Sequence, residues 1–153
     1  MPSDRSRDNR PVTGLFHVGL TVSDLDRSTA FYSRVAGMEV HSVTEVESEA
    51  FGRLTGNPGA RLRTALLGTG DFHLQLVEYL AGGGAHLDLD HRHVGSPHLS
   101  FWVGDADARR RELLEEPGVR VISELASVVP GIRSFYVADP DGVPVELIER
   151  GRD

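Results

Sequence analysis

Residues 16–26 of this chain read FHVGLTVSDLD, and residues 97–107 read PHLSFWVGDAD. Both stretches carry a histidine near the start, a valine five residues after it, and aspartates two and four residues after that valine. Alternating apolar residues followed by an aspartate in a capping position predict a β-strand that runs into a helix. Because the same frame occurs twice, the sequence indicates a duplicated unit.

The composition is that of a globular protein with a buried core, and it excludes several functions. Of the 153 residues, 39% are hydrophobic, and the net charge is −7. This charge argues against a nucleic-acid partner, because phosphate binding needs a basic surface. The absence of cysteine excludes disulfides, thiolate nucleophiles and cysteine-type zinc sites. No apolar run reaches the length of a membrane span, so we expect a soluble cytoplasmic protein in which polar residues 1–13 form a disordered tail.

The first half of the chain predicts the element order β, α, β, β, β. Ser23 or Asp24 is expected to cap the helix and Gly37 to end it. A short, turn-rich excursion is expected over residues 50–59. The predicted elements are a strand over 15–22, a helix to about Val35, and strands over 38–49, 60–68 and 72–80.

The second half repeats this order after a glycine-rich, polar linker. Asp105 is expected to cap the second long helix, and the turn signal DPDG to join the last two strands. The predicted elements are a strand over 98–103, a helix to about Glu115, and strands over 117–123, 131–138 and 143–149. We therefore expect an α+β protein of two βαβββ modules over residues 14–80 and 97–150, joined by a linker over 81–96.

Strand alternation places four polar residues on one face of the predicted strands. In each half an apolar row is expected to pack on the helix, and the polar residues between its members point the opposite way. The fourth strands carry LQLVE and VELIE, so Gln75 occupies the position that Glu146 occupies in the second half. The face opposite the helices is thus predicted to carry His17, Gln75, His98 and Glu146.

These paired modules, with a histidine opening the first strand and an amide or carboxylate in the fourth, resemble the vicinal oxygen chelate superfamily. That superfamily includes glyoxalase I, methylmalonyl-CoA epimerase, fosfomycin-resistance transferases and extradiol dioxygenases. The resemblance covers about residues 14–150. It implies that the sheets of the two modules curl into one mixed sheet around a metal cleft, and it implies a homodimer.

The resemblance implies that the four matching positions bind a divalent metal: His17, Gln75, His98 and Glu146. This ligand set is most similar to that of methylmalonyl-CoA epimerase. Two imidazoles, an amide oxygen and a carboxylate suit Co, Ni, Zn, Mn or Fe, and they leave two positions open on an octahedral ion. Such an ion stabilises the enolate that forms when the C–H beside a carbonyl loses its proton. We therefore expect a metal-dependent isomerase, epimerase or lyase acting on a small α-substituted carbonyl compound or an acyl-CoA.

Other residues are candidates for acid–base work and substrate contact. Glu146 is a base if it leaves the metal, and the alternative bases are Glu45, Glu47 and Glu49, since a base must reach the proton it removes. His91 and His93 lie in the linker and are expected to be solvated. The expected substrate-contacting residues are His73, Tyr79, Trp102, Arg61, Arg63 and Phe135.

Two other functions remain open from the sequence. An Fe(II) extradiol dioxygenase uses two histidines and one glutamate, which would leave Gln75 as a spare donor. A binding protein of the bleomycin-resistance type takes up a small molecule without metal, and it normally lacks these ligands. The sequence leaves open whether the metal site forms within one chain or across two chains that exchange modules.

Overall fold

The computed structural model describes residues 11–151 and arranges them as two mixed β-sheets with three helices. This confirms the α+β class. Most of the tail expected over residues 1–13 lies outside the described residues. None of the described helices is long and apolar enough to cross a membrane.

The first sheet holds four strands in the order β1-β4-β3-β2. Strand β1 pairs parallel with β4, while β4 with β3 and β3 with β2 are antiparallel. A two-residue turn joins β3 to β4 at Gly70, whose φ of 55° lies in the left-handed region that favours glycine. The strands are β1 Val18–Val22, β2 Glu39–Glu47, β3 Arg61–Thr69 and β4 Phe72–Ala81.

The second sheet repeats this plan with one irregularity. The order is β5-β9-β8-β6, with β7 also pairing with β8, and β5 is parallel to β9. Of the strand predicted over 117–123, only two residues are in a strand. The short strand β7 pairs with another part of β8. The strands are β5 Leu99–Trp102, β6 Arg120–Val121, β7 Ala126–Val129, β8 Ile132–Ala138 and β9 Pro144–Arg150.

The helices begin where the sequence places their caps. The side chain of Asp24 accepts from the backbone N–H of Arg27 at the start of α1 (Leu25–Ala36), and Gly37 ends α1 with a φ of 63°. Asp105 caps α3 (Ala106–Glu115) in the same way. The excursion expected to be turn-rich contains a short helix, α2 (Glu49–Thr55), which the capping residue Ser48 starts.

One apolar face of each sheet packs into a common core. Leu74 and Leu76 in the first sheet and Val145 and Leu147 in the second are fully buried, as the alternation predicts. The rings of Phe72 and Phe101 meet across the sheets at 6.1 Å. Phe16 departs from the predicted row, because it precedes β1 and is 68% exposed.

Helix α1 and the turn before β9 form a buried polar junction between the two halves. The Tyr32 hydroxyl donates to Asp139 Oδ2 at 2.9 Å, and the N–H groups of Asp141 and Val143 donate to Asp139 Oδ1. Burial raises the pKa of Asp139, and burial together with this carboxylate raises the pKa of Tyr32. The side chain of Ser23 and its backbone N–H donate to Asp141, which adds a second contact at the same turn.

The edge strands β1 and β5 run past each other in opposite directions. Trp102, at the end of β5, lines a pocket with His17, which precedes β1. Thr21, near the end of β1, lines another pocket with Pro97, which precedes β5. No ladder joins the two sheets within residues 11–151, and linker residues such as Leu89 fill part of this seam.

The buried junction generates a stability prediction. We expect Tyr32→Phe to lower the free energy of unfolding by about 1–3 kcal/mol, because the buried Asp139 carboxylate loses a hydrogen-bond donor. Chemical denaturation would measure the change. Tyr79→Phe is the matched control, since it removes the same hydroxyl from a half-buried residue elsewhere and should change stability by about 0.5 kcal/mol or less. Equal effects of the two substitutions would contradict a special role for the junction.

Candidate metal centre

The four predicted metal ligands occupy matching positions in the two sheets. Gly19 on β1 pairs in register with Gln75 on β4, and Ser100 on β5 pairs with Glu146 on β9. His17 lies two residues before Gly19, and His98 lies two residues before Ser100. The offset between histidine and fourth-strand residue is therefore the same in both halves.

The register brings each histidine within reach of its fourth-strand partner. Two residues along a strand and one strand across it place the paired Cα atoms about 8 Å apart. Both residues of a pair point away from the helices, because the residues on either side of Gln75 and Glu146 are buried in the core. Each half therefore supplies one imidazole and one oxygen donor on its open face.

The open faces of the two sheets lie on the same side of the molecule. Helices α1 and α3 cover the apolar faces and touch each other, since Arg109 donates to the carbonyl oxygens of Arg34 and Val35 at the end of α1. Open-face residues His73 of the first sheet and Trp102 of the second line one pocket. The two donor pairs lie on opposite sides of the seam and also at its opposite ends, because His17 lies beside the end of β5 and His98 follows Pro97 beside the end of β1.

The environment of His17 fits a metal ligand. Its Nδ1 is buried and has no hydrogen-bond partner, although a buried polar atom without a partner is costly. Among residues 11–151, no three histidine, aspartate or glutamate side chains stand close enough to hold an ion without rearrangement. The donor set is chemically suited to a divalent transition metal, but the two pairs of one chain lie at opposite ends of the seam.

Glu146 is held by its neighbours on both adjacent strands. Ser100 Oγ donates to Glu146 Oε2 at 2.8 Å, and Tyr136 lies directly opposite Glu146 in the register with β8. Burial raises the pKa of Tyr136, and the negative charge of Glu146 raises it further. The equivalent position to Ser100 in the first half is Gly19, so Gln75 has no such hydroxyl beside it on β1.

One linker histidine reaches the open face. The ring of His91 stacks on His98 with centroids 5.9 Å apart and meets Tyr136 edge-on at 4.8 Å. We expected His91 to be solvated, and it is exposed, but it lies beside a candidate ligand. No periodicity marks a histidine in a linker, so this contact is not predictable from the sequence. His93 instead pairs with Asp88 at 3.2 Å.

His73 lies in the middle of a row of rings on the open face of the first sheet. Its ring is 6.1 Å from Phe16 and 5.5 Å from His41. The His41 ring lies against Gly68, where an added Cβ would come within 2.6 Å of it. His73 therefore stands on the same face as Gln75, as the alternation predicts.

Three predicted bases turn away from the open face. Glu45 pairs in register with Arg63 on the helix side of the sheet, and Glu47 shares that side by alternation. Glu49 belongs to α2, where its exposed carboxylate lies 3.5 Å from Arg53. The predicted bases Glu47 and Glu49 therefore lie away from the candidate ligands, and Glu146 is the predicted base on the open face.

Two predicted substrate-contacting residues lie on the helix side of their sheets. Arg63 donates to Asp26 at 3.0 Å and contacts Glu78 at 3.4 Å. Phe135 is fully buried in the core. An alternation read from sequence does not establish which face β3 or β8 turns inward. Tyr79 and Trp102 do lie on the open face, and Arg61 lies at the edge of β3 with Glu45 4.0 Å away.

Comparison with known proteins gives consistent matches along the chain. Residues 14–147 match the model of the Glyoxalase/Bleomycin resistance protein/Dioxygenase superfamily. A 2-epi-5-epi-valiolone epimerase from Actinomyces sp. is 33% identical over 141 residues, covering 86% of this chain and 76% of the relative. A lactoylglutathione lyase from Escherichia coli O157:H7 is 30% identical over 139 residues, covering 88% and 91%.

Two solved structures share the fold. A glyoxalase family protein from Bacillus cereus superposes with a TM-score of 0.84 at 21% identity, covering 95% of this chain and 99% of that chain. A glyoxalase I from Leishmania major superposes with a TM-score of 0.64 at 22% identity, covering 90% and 87%. At these identities the two similarities support the fold alone.

The contact between Ser100 and Glu146 generates a prediction about metal affinity. We expect Ser100→Ala to weaken binding of Co²⁺ about 10- to 100-fold, because a ligand that loses its orienting hydrogen bond loses affinity. Ser100→Thr keeps the hydroxyl and should restore binding. Ser134→Ala, on β8 beside Ile148, is the control. Titration of the metal-free protein followed by Co²⁺ absorption measures the effect, and equal affinities for wild type and Ser100→Ala would contradict it.

Proposed function

This chain belongs to the glyoxalase/bleomycin resistance protein/dioxygenase superfamily, and from that premise we propose that it is a divalent-metal-dependent isomerase, epimerase or lyase acting on a small carbonyl compound. The observation that carries the proposal is the matched placement of His17 with Gln75 and of His98 with Glu146 on either side of the seam. The names of the two relatives favour epimerase or lyase chemistry.

The proposed roles follow from the residue types. His17, Gln75, His98 and Glu146 would hold the ion, which would polarise a substrate carbonyl and stabilise the negative charge that develops on its oxygen. Among the predicted bases, Glu146 is the one on the open face, so we assign it the transfer of the proton beside the carbonyl. Ser100 orients its carboxylate through the 2.8 Å hydrogen bond.

The geometry of the seam favours a site shared between two chains. Strands β1 and β5 run in opposite directions, so His17 lies at the end of the seam beside Trp102, whereas Pro97 and the adjacent His98 lie at the other end beside Thr21. The two ends are about 13 Å apart, and within residues 11–151 no three histidine, aspartate or glutamate side chains gather around one point. The His17 pair of one chain and the His98 pair of a second chain would then hold the ion together, which makes the predicted homodimer part of the proposal.

Metal content tests the proposed function. We expect the purified wild type to retain about one divalent ion per chain after dialysis, and His17→Ala and His98→Ala to lose most of it, since each removes a nitrogen ligand. His93→Ala is the matched control because His93 pairs with Asp88 in the linker. Elemental analysis measures the ion. Full retention of the metal in both ligand variants would contradict the assignment, and a metal-free wild type would favour the binding-protein alternative.

Complementation tests where the site forms. We expect chains carrying His17→Ala and chains carrying His98→Ala to recover tight metal binding at about a quarter of the sites when they are refolded together, because one of the two sites in each mixed dimer combines the intact halves of both chains. A site within one chain would instead recover none, because every chain lacks one ligand of its own site. The absence of any recovery would contradict a site shared between two chains.

A further inference from the structure

A pocket of about 630 Å³ opens at the end of the seam beside His17, where the β3–β4 turn meets the end of β5. Its volume is in the range of small-molecule sites. Because His17 lies in its wall, a substrate whose carbonyl reaches the candidate metal centre would place the rest of its structure here. The lining of the pocket therefore bears on which substrate the proposed enzyme takes.

Apolar and polar side chains line the pocket in equal number, and three of the four apolar ones are aromatic. Phe16, Phe72 and Trp102 supply ring surfaces, and Thr69, Asp71 and His73 supply polar atoms. Ring faces pack well against the C–H groups of a saturated ring. A carboxylate accepts hydrogen bonds on two oxygens, so Asp71 suits a ligand that presents neighbouring hydroxyl groups.

The position of Asp71 is fixed by the turn that carries it. Thr69 and Phe72 pair in register, so Gly70 and Asp71 alone make the connection between β3 and β4. The left-handed φ of Gly70 allows this tight turn. Thr69 and Asp71 therefore flank Gly70 at the edge of the pocket, on a rigid hairpin and not on a free loop.

The charge around the pocket disfavours an anionic ligand. The 16 basic residues of the chain are all arginines, and none of the described residues that line this pocket is an arginine. Carboxylates and phosphates are ordinarily recognised by arginine or lysine, whereas here the charged group in the wall is the carboxylate of Asp71. Arg63, which we expected to meet such a group, is committed to Asp26 and Glu78.

The guanidinium of Arg150 lies against one of the aromatic rings in the pocket wall. Arg150 Cζ stands 4.8 Å from the centroid of Trp102. A cation on an aromatic face is stabilised there, so Arg150 holds the indole that forms part of the wall. In the competing interpretation, the Arg150 guanidinium leaves the ring and binds an anionic ligand.

We propose that this pocket binds the uncharged, polyhydroxylated ring of a cyclic ketone, with Phe16 and Trp102 against its C–H groups and Asp71 accepting from its hydroxyls. The proposal rests on the proposed function and narrows it. Glutathione conjugates and acyl-CoA thioesters, which carry carboxylate or phosphate groups, are thereby disfavoured as substrates.

Trp102 is the single tryptophan of the chain, so its fluorescence reports ligand binding in this pocket directly. The probes are scyllo-inosose, an uncharged cyclic ketone bearing hydroxyl groups, and the anionic S-lactoylglutathione and propionyl-CoA. We expect a saturable change in Trp102 emission with the ketone and a much weaker response to both anions. Asp71→Ala should weaken ketone binding about 10- to 100-fold, since it removes a charged hydrogen-bond acceptor.

Two further variants distinguish a pocket for an uncharged ring from an anion site at Arg150. Asp107→Asn removes an exposed carboxylate on α3 that pairs with Arg111, and it should leave ketone binding unchanged. Arg150→Met should weaken ketone binding by no more than about threefold, since a loosened indole still provides its ring surface. The absence of a saturable response to the ketone overturns the proposal, and so does anion binding that Arg150→Met abolishes.

The two proposals fail in distinguishable ways. Ketone binding with the expected Asp71 dependence in a protein that holds no metal would leave the pocket assignment standing and remove the enzymatic function. Metal binding at the four ligands without a Trp102 response to the ketone would do the reverse.

Discussion

In each half, the strand that follows the histidine pairs in parallel with the last strand of that half. The candidate site depends on this pairing. The pairing fixes Gly19 against Gln75 and Ser100 against Glu146. A slip of one residue would turn the fourth-strand donor into the core and bring a leucine to the open face. The buried neighbours of Gln75 and Glu146 prevent that slip, because exposing them would cost hydrophobic stabilisation.

The helices decide which way the paired donors face relative to each other. Each helix covers its own sheet, and Arg109 ties α3 to the last carbonyls of α1. With the helices together on one side, both polar faces are left on the other side. The buried bond between Tyr32 and Asp139 holds the turn before β9 against α1, so the orientation of the strand that carries Glu146 is linked to the first half of the chain.

Helix caps and apolar rows depend on local residue patterns, so the sequence predicts them. The position of a side chain that depends on distant parts of the fold is not predictable in this way. The caps at Asp24 and Asp105 and the apolar rows of β4 and β9 follow from residue type and spacing. Helix α2 was missed because glycines and a proline at residues 52–59 indicate turns, although Ser48 supplies a good cap.

Side chains that could face either side of a strand are harder to place from sequence. Arg63 and Phe135 are predicted to contact substrate from the chemistry of their side chains, whereas the register of β3 and β8 turns both toward the helix side. His91 is exposed as expected, but a linker residue has no alternation from which to predict its contact with His98.

The two halves differ at the fourth-strand donor and at the residue beside it, so they differ in the chemistry they offer. The first half offers Gln75 beside Gly19, and an amide can coordinate or accept hydrogen bonds but does not take up a proton at ordinary pH. The second half offers Glu146 beside Ser100 and opposite Tyr136, so its donor is an ionisable group held by a hydroxyl. In a symmetric pair of glutamates, either half would be equipped to move the proton. Under the proposed function, this asymmetry would assign proton transfer to the second half and leave the first half to bind the ion and, through the pocket beside His17, the body of the substrate.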